Sequence, residues 1–186
     1  MKKIVSYMMT GILLLSFLLT GCGSPEPQTG KKMSMYYINT AETKVEVHEQ
    51  YLNTKTLDQQ LDETMRYLST TPEKLEYKAP LDMGFRVLDY EVEDGKLLIN
   101  VDKAYSELSP TTEVLVRAAI VRTLTQLPNV KYVGITVEDS QLYDNAGEMV
   151  GWMNADQFIN NDGNEINTYE LVKVKLQEGC ELSPKE

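Results

Sequence analysis

Residues 109–137, SPTTEVLVRAAIVRTLTQLPNVKYVGITV, carry the clearest structural signals in the 186-residue chain. Ser109 is a favourable helix N-cap, and Pro110 suits the first helical position because its missing N–H would be unpaired there in any case. An apolar stripe follows at helical spacing, and Pro128 ends the predicted helix. Residues 130–137 then alternate in polarity and predict a strand. The stripe comprises Val116, Ala119, Ile120, Leu124 and Leu127, widened by Ala118.

Immediately upstream, the sequence predicts a β-hairpin. Residues 86–92 and 97–102 are two β-rich runs, and they flank the dipeptide Asp94-Gly95. Asp-Gly between alternating runs is a strong hairpin signal because both residues accept positive φ values. Within the second run, Leu97, Ile99 and Val101 fall on one face, so we expect that face to cover the core.

The first half of the chain predicts two strands and a helix. Residues 33–39 and 44–48 are the strands. Thr56 is a predicted N-cap in a capping box with Gln59, and residues 69–72 end the helix. Its apolar stripe consists of Leu57, Leu61, Met65 and Leu68.

The element order is therefore β-(β)-α-β-β-α-β. This order predicts an α+β domain over residues 33–158, with two helices packed on one face of a mainly antiparallel sheet. Residues 159–186 are predicted to be a loop, one possible extra strand at 169–176 and a disordered tail.

The N-terminus has the pattern of a signal peptide. Lys2 and Lys3 precede an apolar run that is shorter than the roughly 20 residues of a spanning helix. The run ends in LTGC at residues 19–22, which resembles the bacterial lipobox. That resemblance implies cleavage after residue 21 and lipidation of Cys22, and residues 22–32 then form a flexible tether. An ordinary secretory signal with an incidental cysteine, or an uncleaved anchor, are the alternatives.

The charge balance excludes some partners. The chain has 18 Lys and Arg against 28 Asp and Glu, a net charge of −10. Nucleic-acid phosphates require clustered basic side chains, so nucleic acid is not an expected partner. The same acidity opposes flat binding to anionic lipid.

Few residues are candidates for chemistry. His48 is the single histidine and Cys180 the single other cysteine, so no zinc site is expected. Residues 160–165 resemble a calcium loop but place Phe158 and Tyr169 at ligand positions, and we reject that interpretation. His48 is predicted to lie at the surface. Three acids, Asp58, Asp62 and Glu63, are interpreted as the solvated face of a helix. We therefore predict no catalytic, cofactor-binding or metal-binding residues.

Three passages resemble the GerMN domain of bacterial sporulation and spore-germination lipoproteins. They are residues 35–45, residues 86–102 and, as the most specific, residues 119–133. The resemblance implies a fold akin to ring-building modules and a non-enzymatic role on the extracytoplasmic side, exercised through protein–protein contact. It also implies no cofactor.

The functional hypothesis is a lipid-anchored binding or scaffold module of the cell envelope, linked to sporulation or germination. Its expected partners are envelope proteins or peptidoglycan, with the membrane reached through lipid on Cys22. One alternative is a small-ligand or glycan-binding lipoprotein that uses Trp152 and some of the eleven tyrosines. A second is a peptidoglycan-acting enzyme with paired carboxylates.

Overall fold

The computed structural model describes residues 30–71, 76–144 and 146–158. The predicted signal peptide, Cys22, Cys180 and the segment 159–186 lie outside these ranges. Short 3-10 helices at Lys103–Glu107 and Ala155–Gln157 accompany the main elements. The strands and α-helices, in chain order, are β1 (Lys31–Asn39), β2 (Val45–Leu52), α1 (Leu57–Leu68), β3 (Tyr77–Lys78), β4 (Val87–Glu93), β5 (Lys96–Val101), α2 (Pro110–Leu124), β6 (Tyr132–Val137) and β7 (Ser140–Gln141).

The strands of the described residues form two sheets. In the first sheet β1 is central, with β2 antiparallel along its length and the short β3 antiparallel at its end. The second sheet has the order β4-β5-β6-β7. Its β5–β6 pair is parallel, and its other two pairs are antiparallel.

The predicted α+β class with two helices is confirmed, and the arrangement of the strands adds two features. The strands divide between two sheets, where one sheet was expected, and one pair is parallel. The parallel pair follows from chain connectivity. β5 and β6 are joined by a crossover that contains α2, and a connection of that length permits parallel pairing.

Helix α2 lies at the centre of the domain. Eleven of its fifteen residues are buried, and it contacts β1, β2, β6 and α1. The predicted stripe is buried as expected, including Leu124, which has no solvent exposure. Because α2 is covered on nearly every side, it joins the two sheets into one core.

Local signals placed the helix starts and the hairpin correctly. The Thr56 hydroxyl accepts a hydrogen bond from the Gln59 N–H, and the Ser109 hydroxyl accepts one from the Thr112 N–H. Asp94 and Gly95 have φ values of 50° and 81°, so both adopt the left-handed conformation that a tight hairpin turn needs. On β5, Leu97, Ile99 and Val101 are buried, which confirms the predicted core face.

The free edge of β1 is closed by side chains of α2 and the turn after it. The Gln126 amide pairs with both backbone groups of Ser34: its Oε1 accepts from the Ser34 N–H at 3.0 Å, and its Nε2 donates to the Ser34 carbonyl at 2.7 Å. The Thr123 hydroxyl accepts from the Tyr36 N–H at 3.0 Å and donates to the Ala119 carbonyl. These bonds replace those of a neighbouring strand for Ser34 and for the Tyr36 N–H, in the part of the edge that β3 does not cover.

Several predicted boundaries shift. β1 begins at Lys31, inside the predicted 22–32 tether, because Lys31 and Lys32 pair with Leu52 and Tyr51. Their side chains are exposed, so the apolar pattern did not include them. β2 likewise continues to Leu52, beyond the predicted 44–48. The two-residue strands β3 and β7 were not predicted, since such short pairings leave no periodic signal.

Two side chains differ from their predicted environments. Glu63 was placed on a solvated helix face, and that prediction is wrong: it is buried, and its carboxylate accepts hydrogen bonds from the N–H groups of Asn53 and Thr54. It thereby holds the β2–α1 loop against the helix. His48 is half-buried instead of lying on the surface, with its ring edge-on to Tyr37 and Tyr77 at centroid distances of 6.2 and 5.5 Å.

Candidate interaction surface

An outward strand face on the first sheet is the strongest candidate for a binding surface. Tyr36 of β1 lies opposite Val47 of β2, and Ser34 lies opposite Glu49 on the same side. Val47 is 53 % exposed, although it sits near the middle of its strand. We call this surface the β2 face and define it by Tyr36, Val47, Glu49 and Tyr51, together with Arg122 of α2.

On the β2 face, the Tyr36 ring is held in place by the Arg122 guanidinium. The Arg122 guanidinium lies 4.3 Å from the centroid of the Tyr36 ring, and its Nη2 donates to the Tyr36 hydroxyl at 3.3 Å. Lys32 and Glu49 form an ion pair beside them. The β2 face therefore combines a fixed Tyr–Arg pair, an exposed valine and charged groups nearby. Tyr and Arg are the residue types that most often dominate the binding energy of protein interfaces.

Trp152 is packed on the second sheet. A Cβ atom at Gly134 would lie 2.8 Å from Cζ3 of the Trp152 ring and 3.2 Å from a methyl group of Leu98. The Lys96 ammonium lies 5.3 Å from the ring centroid. The indole therefore rests closely on the strand surface, where only glycine leaves room for it. This position accounts for Trp152 as a packing residue and does not favour the ligand-binding alternative.

A buried polar cluster joins the 3-10 helix after β5 to α2. The Tyr105 hydroxyl donates to Glu113 Oε1 at 2.9 Å, and Arg117 Nε lies 2.6 Å from the same oxygen. All three side chains are buried, and Phe85 packs edge-on against the Tyr105 ring. Burial raises the pKa of Tyr105 well above its usual value, and the charge of Glu113 raises it further. The cluster fixes the first turns of α2 against the loop that precedes it.

Among the described residues, two carboxyl groups have displaced pKa values, and both values are lowered. The hydrogen bond from the Lys78 ammonium, followed by that from the Thr112 hydroxyl, lowers the pKa of Glu42. The side-chain bond from Arg86 lowers the pKa of Asp102. A general acid near neutral pH needs a raised carboxyl pKa. These shifts are therefore those of structural ion pairs, and they do not support the enzyme alternative.

Other predicted features can be placed only in part. Cys22, the predicted lipidation site, and Cys180 lie outside the described residues. Within the described ranges, no group of three or more His, Cys, Asp or Glu side chains is arranged to hold a metal ion. In those same ranges, none of the helices combines the length and apolar character needed to cross a bilayer.

The sequence did not reveal the β2 face. Tyr36 and Val47 each appear as ordinary members of an alternating strand, and Arg122 appears as a polar residue near a helix end. Their assembly depends on strand register and on the position of α2, which bring together residues 86 positions apart. The one available signal was the two adjacent tyrosines in β1, of which Tyr37 is buried and Tyr36 is half-buried on the opposite face of the strand.

The fold and these surfaces define an α+β domain with an exposed strand face on its first sheet. The chain belongs to the Germane family, whose description is "Sporulation and spore germination". The family model matches residues 34–143. The resemblance inferred from the sequence is thereby confirmed. No curated protein matches the chain.

Solved structures with a similar arrangement have low sequence identity. The first GerMN domain of the sporulation protein GerM from Bacillus subtilis is 15% identical with a TM-score of 0.49, over 63% of this chain and 90% of that one. The tandem GerMN domains of the same protein are 18% identical with a TM-score of 0.47, over 69% and 47%. A Clostridium perfringens protein described as a candidate lipoprotein is 16% identical with a TM-score of 0.41, over 70% and 93%.

Proposed function

We propose that the protein is a lipid-anchored binding or scaffold module of the cell envelope, on the extracytoplasmic face of the membrane. In this proposal it acts in sporulation or spore germination through contacts with envelope proteins or peptidoglycan. Membership of the sporulation and germination family supports the process. The sequence LTGC at residues 19–22 supports the anchor. Two or more acyl chains on Cys22 would hold the protein stably, whereas one chain would bind only marginally.

The β2 face is the observation that carries the binding role. β2 is an edge strand of the first sheet, and its outward side chains surround the Tyr36–Arg122 pair. A stable protein interface buries about 800 Å² on each partner around a few anchoring side chains. Tyr36 and Tyr51 can supply aromatic anchors here, and Lys32 and Glu49 can supply a charged rim.

A matched pair of substitutions tests this surface. Val47→Asp and Leu88→Asp introduce the same charge at sites of nearly equal exposure, 53 % and 50 %, on different sheets. Both variants should keep the wild-type thermal midpoint, because each side chain faces solvent. In intact cells, cross-links between the full chain and its partner proteins should be lost with Val47→Asp and retained with Leu88→Asp. Unchanged cross-linking in the Val47 variant would show that the β2 face is not the interface.

The anchor is tested separately. Cys22→Ser removes the thiol that would receive the lipid, so the variant should leave the membrane fraction or remain unprocessed. Cys180→Ser is the control, since it removes the other cysteine and leaves the lipobox-like sequence intact. A Cys22→Ser protein that is processed and sediments with the membrane like wild type would contradict lipidation at this site.

The proposal also holds that the module performs no chemistry, which an assay on peptidoglycan can challenge. The purified chain should release no soluble muropeptides from cell-wall sacculi. Turnover that a single Asp or Glu substitution abolishes at unchanged stability would replace the scaffold role with an enzymatic one. Saturable binding of muropeptides that depends on Trp152 would instead favour the ligand-binding alternative.

A further inference from the structure

The segment that follows β7 exposes two large apolar side chains side by side. Tyr143 and Met149 face each other across an isolated antiparallel bridge, and they are 60 % and 38 % exposed. The residues next to them in sequence, Leu142 and Val150, are buried. In this hairpin, the side chains of Leu142 and Val150 therefore point into the core, whereas those of Tyr143 and Met149 point into solvent.

Hydrogen bonds within the hairpin already fix its backbone. The Asp144 N–H donates to the Glu148 carbonyl at 2.8 Å, and Asp144 Oδ1 accepts from the N–H groups of Ala146 and Glu148 at 2.9 Å each. Nearer the sheet, the Val150 N–H donates to the Leu142 carbonyl, and Gln141 Nε2 donates to the Val150 carbonyl. Tyr143 and Met149 are therefore held outward on an ordered support, so binding them would cost little ordering entropy.

The segment that carries this pair is acidic in sequence. Residues 138–158 contain five acids and no Lys, Arg or His. Four of the acids, Glu138, Asp139, Glu148 and Asp156, are exposed. Such a surface repels anionic lipid and wall phosphates, and it repels a second copy of a chain whose net charge is −10. A basic protein surface is the partner that its charge complements.

We propose that the paired segments 141–144 and 146–150 are a second docking element, separate from the β2 face, which inserts Tyr143 and Met149 into an apolar recess rimmed by Lys and Arg on a partner protein. The hairpin extends from the second sheet, whereas β2 is an edge of the first. With two independent surfaces the domain can bridge two proteins. Aromatic and Met side chains are enriched at interface centres, and complementary charge raises the association rate.

The test uses the full chain in its native cells, with a photo-reactive phenylalanine analogue at position 143 and, as control, at position 88. Position 143 should yield an adduct with one protein, and position 88 should not. The captured protein, once purified, should bind the detergent-solubilised full chain. Tyr143→Ser combined with Met149→Ser should weaken that binding by at least about tenfold, while Leu88→Ser leaves it unchanged. Glu148→Gln should reduce its dependence on salt.

Several outcomes would overturn the inference. These are the absence of an adduct at position 143, an adduct with lipid, glycan or a second copy of this chain, or direct binding that the double substitution does not weaken. Val47→Asp separates this inference from the proposed function. If the β2 face binds a different protein, Val47→Asp abolishes that contact and leaves the adduct at position 143 intact. Loss of the position-143 adduct in Val47→Asp would show that the two surfaces are not independent.

Discussion

The two sheets of the domain are completed by different kinds of contact. In the first sheet, polar side chains of α2 and its C-terminal turn take the place of a missing strand along β1, with Gln126 and Thr123 bonded to backbone groups. In the second sheet, an aromatic side chain covers the strands, and Trp152 fits against Gly134 without room for one further carbon. Side-chain hydrogen bonds therefore complete the first sheet. In the second sheet, backbone bonds between Val133 and Met153, at 2.8 Å each, extend the edge of β6, and the fit of Trp152 against Gly134 covers the strand face. Substitutions that remove bonds should affect one, and substitutions that add volume should affect the other.

Leu124→Asp should have the largest effect because α2 belongs to both sheets. Leu124 is fully buried, and burial of an unpaired charge costs several kcal/mol. That cost is comparable to the stability of a small domain, about 5–15 kcal/mol. Thermal unfolding followed by circular dichroism should show a much lower midpoint, with both sheets lost together. Leu88→Asp, at an exposed position, should change the midpoint little. A Leu124 variant that melts within a few degrees of wild type would contradict the central position of α2.

Gln126→Leu should affect the first sheet selectively. The substitution keeps the approximate volume but leaves the N–H and carbonyl of Ser34 without their amide partner. Each buried group left unpaired costs about 1–3 kcal/mol. Amide hydrogen exchange should then accelerate at Ser34 and its β1 neighbours, with β5 and β6 less affected. The matched control is Thr125→Val, because the Thr125 hydroxyl bonds only within its own helix, to the Val121 carbonyl at 2.7 Å. Equal exchange in both variants would show that Gln126 does not close the edge.

The contrast between the sheets also explains how far the sequence alone predicted the fold. The Ser109-Pro110 start, the Asp94-Gly95 turn and the stripe through Leu124 are local signals, and each placed its element correctly. Gln126 bonds to a residue 92 positions away, and as a polar residue near a helix end it resembles one that faces solvent. The prediction of a solvated Glu63 was wrong for the same reason, because its hydrogen bonds to Asn53 and Thr54 depend on where the β2–α1 loop lies.

The candidate surfaces were less predictable than the fold. The ligand-binding alternative named the tyrosines as a group, but composition could not separate the half-buried Tyr36 and the exposed Tyr143 from Tyr37 and Tyr105, which are buried. Trp152 was named with the tyrosines in the ligand-binding alternative, and it packs on Gly134. Gly134, a glycine in the middle of a predicted strand, is the signal that could have indicated this close approach.

Gly134→Ala should affect the second sheet through shape alone. The added methyl group would lie 2.8 Å from the Trp152 ring, so the indole must move. Overpacking of this kind costs about 1–3 kcal/mol. Trp152 is the only tryptophan, so a red shift of fluorescence emission reports its displacement directly. In a Trp152→Leu background the same alanine should cost much less, and a double-mutant cycle measures that coupling. Additive effects of the two substitutions would show that Trp152 and Gly134 do not pack together.

The smallest expected effect is the pH dependence of the stability that Glu42 contributes to the first sheet. Glu42 follows β1, and its carboxylate accepts from Lys78 Nζ of β3 at 2.5 Å and from the Thr112 hydroxyl of α2 at 2.6 Å. These bonds lower its pKa below the ordinary value of 4.5. A lowered folded-state pKa contributes stability that is complete above the unfolded value and is lost as the pH falls through the folded one. The stability difference between wild type and Glu42→Gln should therefore be present at neutral pH and shrink below about pH 4.5.

Urea midpoints measured between pH 7 and pH 3 test this pH dependence, with Glu107→Gln at an exposed position as the control. The change should be modest because both partners are partly solvated. A difference that stays constant across this range would show that the contacts of Glu42 with Lys78 and Thr112 do not stabilise the first sheet through its charge.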